Sequence, residues 1–202
     1  LPENKKSMIE SILENSPLAQ TPFELMAEEM INREFVKEWT IEDFNQTDIK
    51  QLRNRDFDQG HNMFSVTGCF ACHRFNNEGG MTGPDLTSAG RRFSVYDLLD
   101  NIINPSKVMN DQYAPVQVTM ENGELLTGLI VNLDLHNLYV NIDMFNPNDV
   151  IIVDRNKVSK IEMSPLSPMP SGLLSMLKED EILDLIAFII SGGKKDNAVF
   201  RR

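Results

Sequence analysis

The sequence predicts a mainly helical fold that carries a small inserted β-barrel-like subdomain, so the chain is α+β overall. Apolar residues recur with helical spacing over 57–66 and 95–103, and a third, strongly apolar helix is predicted over 182–190. Between the second and third helices, short alternating segments separated by turn residues indicate strands. Helices on both sides of a β-rich stretch indicate that the strands interrupt a helical domain.

The predicted elements divide the 202-residue chain into four parts. We expect a helical N-terminal extension, a discontinuous helical domain, an inserted β-rich subdomain and a C-terminal tail. Their boundaries are 1–56 for the extension, 57–112 and 164–193 for the helical domain, 113–163 for the insertion and 194–202 for the tail.

The N-terminal extension is polar, acidic and rich in helix-forming residues. Pro22 suits the first turn of a helix that runs to about Trp39. Thr40, followed three residues later by Asp43, resembles a capping box and predicts a second short helix that includes Phe44. The extension is therefore expected to lead into the helical domain through two helices.

Three helices define the helical domain. The first places Phe57, Gly60 and Phe64 on one side. Ser94 is a predicted N-cap for the second helix, and Gly192-Gly193 ends the third.

The insertion is predicted to contain five short strands. An Asn-Gly pair at residues 122–123 has the signature of a tight hairpin turn between the first two. Five strands within about 50 residues predict a small closed or half-closed barrel. The predicted strands are Val116–Met120, Leu125–Val131, Leu138–Ile142, Val150–Val153 and Val158–Met163.

The composition excludes two classes of partner. A net charge of −11 argues against nucleic acid, because phosphate binding requires clustered Lys and Arg. No stretch approaches the roughly 18 consecutive apolar residues of a membrane-spanning helix. We therefore expect neither nucleic acid nor a membrane span for this chain.

Both cysteines of the chain lie in one five-residue motif, Cys69-Phe70-Ala71-Cys72-His73. Two cysteines at this spacing followed directly by histidine are the attachment signature of c-type haem, in which the histidine ligates the iron. A thioredoxin-like redox pair is the first alternative, but it belongs in a βαβ pattern that is not found here. A zinc site is the second, and it requires about four ligands.

The second axial ligand of a haem iron is predicted to be Met169. It lies between two prolines in Ser167-Pro168-Met169-Pro170, and these restrict the backbone on both sides. The alternative is that Met169 fills a gap in the core. Met81 is the next candidate ligand, and His61 and His136 are further ones.

Several further segments carry a family resemblance. Besides the cysteine motif, they are Gly60 and Phe64, Gly79 to Thr87, Arg92-Phe93-Ser94, Asn104-Pro105-Ser106, Tyr113, Ser167 to Leu173 and the helix from Glu181 to Ile190. In these segments the chain resembles class I c-type cytochromes, specifically the haem-binding domain of the planctomycete and verrucomicrobial (Pirellula/Verrucomicrobium) type. The likeness covers about residues 57–193 and implies the cytochrome c fold, with the β-rich insertion as a feature of the subfamily.

The resemblance also implies roles for single residues. Gly60 and Phe64 would lie where the first helix crosses the last, against Phe188. The carbonyl of Pro84 would accept a hydrogen bond from His73.

Further implied roles concern the haem itself. Met169 would be the distal ligand, and Arg92, with Arg91 or Tyr113 as further candidates, would contact the propionates. A solvated pair of arginines is the alternative for Arg91 and Arg92.

With both axial positions filled, the expected function is one-electron transfer by a haem c iron, without enzymatic activity of the chain itself. The expected partner is a redox protein or a fused dehydrogenase domain, and covalent haem attachment implies a periplasmic or other extracytoplasmic location in a bacterium. A peroxidase-like haem enzyme and a gas-sensing haem module with a displaceable methionine are the alternatives.

Overall fold

The computed structural model describes residues 33–44, 52–144, 146 and 148–201. The helices in this part of the chain are α1 Phe57–Val66, α2 Cys69–Cys72, α3 Ala89–Arg92, α4 Val95–Ile103 and α5 Glu179–Ser191. The strands are β1 Arg74–Phe75, β2 Glu78–Gly79, β3 Val116–Met120, β4 Leu125–Leu133, β5 Asn137–Asn141, β6 Val150–Asp154 and β7 Val158–Met163. Short 3-10 helices span Ile41–Phe44, Arg155–Lys157 and Ala198–Phe200.

Helices α1 and α5 cross at Gly60 and form the centre of the helical core. A β-carbon at Gly60 would collide with the backbone carbonyl of Asp184 and come within 2.9 Å of Cβ of Phe188. The rings of Phe64 and Phe188 lie 5.6 Å apart, centroid to centroid. The crossing expected at Gly60 and Phe64 is therefore confirmed, and it requires glycine because the two backbones are too close for a side chain.

Helix α5 is buried along most of its length and has well-defined ends. At its start, the carboxylate of Glu181 accepts a hydrogen bond of 2.9 Å from the backbone N–H of Lys178. At its end, Gly192 adopts a left-handed conformation with φ 64°, as glycine does at helix C-termini. Helix α4 likewise begins with the predicted Ser94 cap, which forms a capping box with Asp97.

Residues 33–40, here called the N-terminal strap, run in an irregular conformation along the loop before α5. The N–H of Val36 donates to the carbonyl of Ser175 at 2.8 Å, and the indole N–H of Trp39 donates to the carbonyl of Leu177 at 3.1 Å. These tertiary bonds replace the intrahelical bonds expected up to Trp39, so the helix prediction is wrong over residues 33–39. The rest of that predicted helix lies outside the described residues.

The short helix predicted at Thr40 is present as the 3-10 helix Ile41–Phe44. The carboxylate of Asp43 accepts a hydrogen bond of 3.0 Å from the backbone N–H of Thr40, as the capping pattern implies. Ile41 and Phe44 are buried in the helical core, so this turn fastens the strap to the domain.

The insertion forms one antiparallel five-stranded sheet in the order β6-β5-β4-β3-β7. Its five strands match the predicted ones to within two residues at each end, and the hairpin turn between β3 and β4 contains Gly123 at φ 85°. The two edge strands follow one another in the chain, separated only by the 3-10 turn Arg155–Lys157. The sheet therefore curls back on itself, since three residues span only about 10 Å.

The predicted fold class is wrong in two respects. The structure is an α+β fold with a five-stranded antiparallel sheet, not a mainly helical cytochrome c fold, because the sheet encloses its own hydrophobic cluster and forms a layer in its own right. The sheet is also not a closed barrel. Closure requires hydrogen bonds between the first and last strands, and β6 and β7 have no pairing in the described structure.

The insertion leaves and rejoins the helical part at neighbouring points. The N–H of Ser164 donates to the carbonyl of Pro115 at 2.8 Å, which joins the two ends of the inserted segment. Just beyond, the N–H of Ser167 donates to the hydroxyl of Ser106 at 3.0 Å. The proline-rich loop that carries Met169 is therefore anchored to the segment that follows α4.

No helix among the described residues combines the length and apolar character needed to cross a bilayer.

Candidate functional site

The cysteine motif forms helix α2, a single turn placed directly after α1. Gly68 separates the two helices in a left-handed conformation with φ 77°, which glycine adopts without strain. Residues three apart on a helix lie on the same side, so Cys69 and Cys72 project from one face of the turn. The N–H of His73 donates to the carbonyl of Cys69 at 2.9 Å and closes the turn.

A glycine-rich loop lies tightly against the motif. The N–H of Gly80 donates to the carbonyl of Phe70, and that of Gly83 to the carbonyl of Cys72, both at 2.8 Å. A β-carbon on Gly83 would lie 2.8 Å from Cε1 of His73. This loop, residues 79–84, therefore has a definite role: it holds the backbone of the motif and packs in direct contact with the His73 imidazole.

The orientation of the His73 ring is set by Pro84. Nδ1 of His73 lies 2.8 Å from the carbonyl oxygen of Pro84, which confirms the contact that the resemblance implied. A carbonyl only accepts hydrogen bonds, so Nδ1 carries the proton and Nε2 keeps its lone pair. Burial lowers the pKa of His73, although the bond to Pro84 acts in the opposite direction. The ring is therefore neutral near pH 7, in the form that binds metals.

Each cysteine thiol lies beside a threonine hydroxyl. Oγ1 of Thr67 is 3.3 Å from Sγ of Cys69 and also donates to the carbonyl of Met63 at 2.7 Å. Burial raises the pKa of Cys69 to about 11. It also raises the pKa of Cys72, against a smaller lowering effect of the Thr82 hydroxyl. Both cysteines are thus protonated thiols at neutral pH.

Thr67 and Thr82 were not predicted as site residues. Thr67 directly precedes Gly68 and lies outside the five-residue motif. Thr82 lies within the segment Gly79 to Thr87 that carries the resemblance, but the resemblance implied no role for its side chain. The hydroxyl of Thr82 is buried and lies close enough to Cys72 to lower the pKa of that thiol, but the geometry of the pair does not complete a hydrogen bond within the described structure. An unsatisfied buried hydroxyl is unusual and calls for a partner.

These observations weaken both alternatives to haem attachment. The active cysteine of a thioredoxin-like pair has a lowered pKa, whereas burial raises the pKa of Cys69 and of Cys72. For zinc, the described residues contain no group of three or more His, Cys, Asp or Glu side chains arranged to hold a metal ion. Both observations count against a dithiol redox centre and a zinc site in the described part of the chain.

The two candidate methionines differ in their surroundings. Met169 is half-buried, and its N–H donates to the hydroxyl of Ser167 at 3.1 Å. Met81 is 74% exposed, and its sulfur accepts a contact of 3.7 Å from the guanidinium of Arg74. Met169 is the more buried of the two residues, which favours it over Met81 as a ligand.

The structure does not join the remaining predicted residues to the motif. Arg92 is exposed, with its guanidinium 5.4 Å from the ring centre of Phe93. Tyr113 is half-buried, and its N–H donates to the carbonyl of Asn110. In the described part of the chain, no hydrogen bond, ion pair or ring contact connects Met169, Arg92 or Tyr113 to the cysteines or to His73.

The other histidines are exposed. His61 is on α1, with its ring 5.3 Å from the ring of Phe188 and 5.9 Å from that of Phe70. His136 is in the turn between β4 and β5, where its N–H donates to the carboxylate of Asp134. Neither histidine shares a contact with His73 among the described residues.

The residues of the motif fit a covalently attached haem. Two protonated thiols project from one face of a turn, and the next residue has a free imidazole nitrogen with its other nitrogen fixed. The buried Thr82 hydroxyl beside Cys72 has an unused hydrogen-bonding capacity, and the absence of a β-carbon at Gly83 leaves room for the His73 ring alone.

No protein-family model matches the chain, and no curated protein matches it in sequence.

Proposed function

We propose that the chain carries one haem c bound covalently through Cys69 and Cys72, with Nε2 of His73 as an axial ligand of the iron, and that it transfers single electrons. The observation that carries this proposal is the 2.8 Å hydrogen bond from Nδ1 of His73 to Pro84, directly after two thiols on one helical turn. That bond directs Nε2 to a metal and orients the ring, as outer partners of metal-bound histidines do.

The chain supplies attachment and ligation, and the haem supplies the change of oxidation state. Attachment needs no oxidant, because each thiol adds across a vinyl group. Cys69 and Cys72 would each hold the haem by a thioether, with the S–H bond and the π bond of one vinyl group replaced by a sulfur–carbon and a carbon–hydrogen bond. Protonated thiols beside Thr67 and Thr82 are consistent with this addition.

Met169 is the proposed second axial ligand. The half-buried position and the bond from Ser167 to Ser106, which anchors the loop, support this assignment. With His73 and Met169 both held to the iron, the thioether would raise the reduction potential and the iron would have no open site for a substrate. This ligation favours electron transfer over a peroxidase-like or gas-sensing role.

The family and the partner are part of the same proposal. The resemblance to class I c-type cytochromes of the planctomycete and verrucomicrobial type supports an electron-transfer domain that serves a redox protein or a fused dehydrogenase. Covalent haem attachment supports maturation outside the cytoplasm.

The decisive experiment is to produce the chain with a c-type maturation system and measure its intact mass and absorption spectrum. We expect the mass of the chain plus one haem, and a low-spin ferric spectrum. Cys69→Ala or Cys72→Ala should leave at most one thioether bond to the haem. His73→Ala should lose the low-spin spectrum. The matched control His61→Ala should keep both the mass with haem and the low-spin spectrum.

A colourless product, or a mass without haem, contradicts haem attachment. A high-spin ferric product that binds cyanide at once contradicts electron transfer and supports an enzyme or a sensor.

Replacement of Met169 by alanine tests the second ligand. We expect the reduction potential to fall by a substantial part of the roughly 0.8 V range that axial ligands span, because the thioether stabilises the ferrous state. The control is Met81→Ala, which should leave the potential unchanged. If Met81→Ala lowers the potential and Met169→Ala does not, the ligand is Met81.

A further inference from the structure

The two edges of the five-stranded sheet differ in how they are protected. Edge strands expose unpaired backbone groups, and proteins usually shield them with charged residues or proline. On β7, Lys160 and Glu162 form an ion pair of 2.8 Å along the edge. Strand β6 reads Val-Ile-Ile-Val over residues 150–153 and contains neither lysine nor proline there.

The β6 edge is also accessible and apolar. Ile152 is 62% exposed, and Ile151, which faces the inner side opposite Val140, is 37% exposed. In the described structure, β6 pairs with β5 only, so its outer backbone groups have no strand partner. An edge of this kind is a template for an added strand.

A cavity of about 280 Å³ opens beside this edge because the sheet is not closed. Ile151 and Val153 of β6 line one side, and Met120 and Leu126 line the other. An apolar cavity of about 150 Å³ holds a benzene molecule, so this one has room for a large apolar side chain. A strand added to β6 would direct every second side chain to the inner side, where the cavity lies.

The charges around the β6 edge indicate which charge a partner strand should carry. Asp149 precedes β6 and Asp154 ends it, while Glu124 and Lys157 lie at the cavity. Arg155, which directly follows Asp154, adds a second cation whose guanidinium donates to the carbonyl of Asp134 at 2.9 Å. Three carboxylates against these two cations leave a net negative charge, which favours a basic ligand.

The same charges disfavour a second copy of this chain. Antiparallel pairing of two β6 edges would bring Asp149 of each copy towards Asp154 of the other. On β7, Lys160 is already neutralised by Glu162.

We propose that the β6 edge binds an extended segment of a partner protein by strand addition, and that this segment alternates apolar with polar residues and carries Lys or Arg at its ends. The backbone of β6 recognises the extended conformation, and the cavity accepts an apolar side chain. The acidic flanks select the basic ends. The inference is independent of the proposed haem function.

The test uses the full chain and a fluorescent nine-residue peptide that alternates valine with threonine between lysine ends. Anisotropy should show saturable binding that weakens with added salt, because the end charges are screened. The same peptide with glutamate ends should bind at least about tenfold more weakly, a difference of about 1.4 kcal/mol. On binding, amide hydrogen exchange should slow at residues 150–154.

Ile152→Lys should weaken binding of the lysine-ended peptide at least about tenfold, because a charge on the edge blocks strand addition. The control on the other edge is Ile161→Lys, although Ile161 lies opposite Val118 on the inner side and Ile152 lies opposite Tyr139 on the outer side. Because the partner strand adds to β6, this variant should change the affinity by less than about twofold. Thermal unfolding verifies that both variants fold. Asp149→Asn provides a second, milder variant that should reduce the salt dependence.

Three results would overturn the proposal. One is equal binding of the basic and acidic peptides. Another is equal weakening by Ile152→Lys and Ile161→Lys. The third is a concentration-dependent dimer in sedimentation that Ile152→Lys abolishes, which would assign the edge to a second copy.

Discussion

At the scale of single residues, Asp184 is a carboxylate buried at the crossing of α1 and α5. Its Oδ1 accepts a hydrogen bond of 3.0 Å from the N–H of Asp56 and lies 3.5 Å from Nε of Arg55. Burial nevertheless raises its pKa, against the opposing effects of these two groups. Asp56 and Arg55 therefore stabilise the ionised form of Asp184, but its burial costs desolvation free energy.

Asp184→Asn should leave the free energy of unfolding at pH 7 within about 1 kcal/mol of wild type, because the amide oxygen still accepts from Asp56. Asp184→Ala leaves that N–H unsatisfied and should cost about 1–3 kcal/mol. Urea unfolding measures both values.

The contribution of Asp184 to the free energy of unfolding changes with pH in a predictable direction. Since the pKa of Asp184 is higher in the folded state than the ordinary 3.8, the folded chain binds a proton more readily, and this group stabilises the fold as the pH falls through its raised pKa. The stability difference between wild type and Asp184→Asn should therefore move in favour of wild type between pH 7 and about 4. A difference that is constant with pH would contradict this.

At the scale of elements, the turn between β4 and β5 is organised by one exposed carboxylate. Asp134 accepts hydrogen bonds of 2.7 Å from the N–H groups of His136 and Asn137, and one of 3.0 Å from the hydroxyl of Tyr139. The two backbone bonds are the main reason that its pKa falls to about 2. The register of the β4–β5 hairpin therefore depends on an ionised Asp134.

Asp134→Asn should lower the melting temperature at pH 5 and above, and this deficit should shrink as the pH falls. The folded pKa of Asp134 is about 2, below its ordinary 3.8. Its contribution is thus complete above 3.8 and is lost as the pH falls towards 2. Thermal unfolding at several pH values measures this, with the exposed Asp111→Asn as control. A deficit that persists at pH 2 would mean that the carboxylate charge is irrelevant.

At the scale of the whole molecule, two separate hydrophobic clusters divide the structure. One lies among the helices and includes Leu185, and the other lies within the sheet and includes Leu138. Because the two clusters share no buried residues, each can unfold locally as its own cooperative unit.

Leu138→Ala and Leu185→Ala form a matched pair that tests this division. Each should cost about 2–5 kcal/mol in its own cluster. Hydrogen exchange should accelerate at amides of β3–β7 in the first variant and of α1 and α5 in the second. If both variants accelerate exchange equally everywhere, the structure is a single cooperative unit.

Local signals predicted most of the elements correctly. Ser94 and Gly192 mark helix ends through their own side chain or conformation, and the alternating strands were found from residue pattern alone. The strap was mispredicted because Trp39 and Val36 bond to a loop more than 130 residues away. Thr67 and Thr82 were missed because their relevance arises from contact with the thiols.

The sequence by itself determined the chemistry of the motif, because two thiols and an imidazole within five residues share one helical turn whatever surrounds them. It also determined where helices and strands form, since capping and alternation are local properties. Only the tertiary structure decided that the sheet stays open, how deeply the thiols are buried and what the β6 edge exposes. These features depend on contacts between distant segments, and no pattern of neighbouring residues encodes them directly.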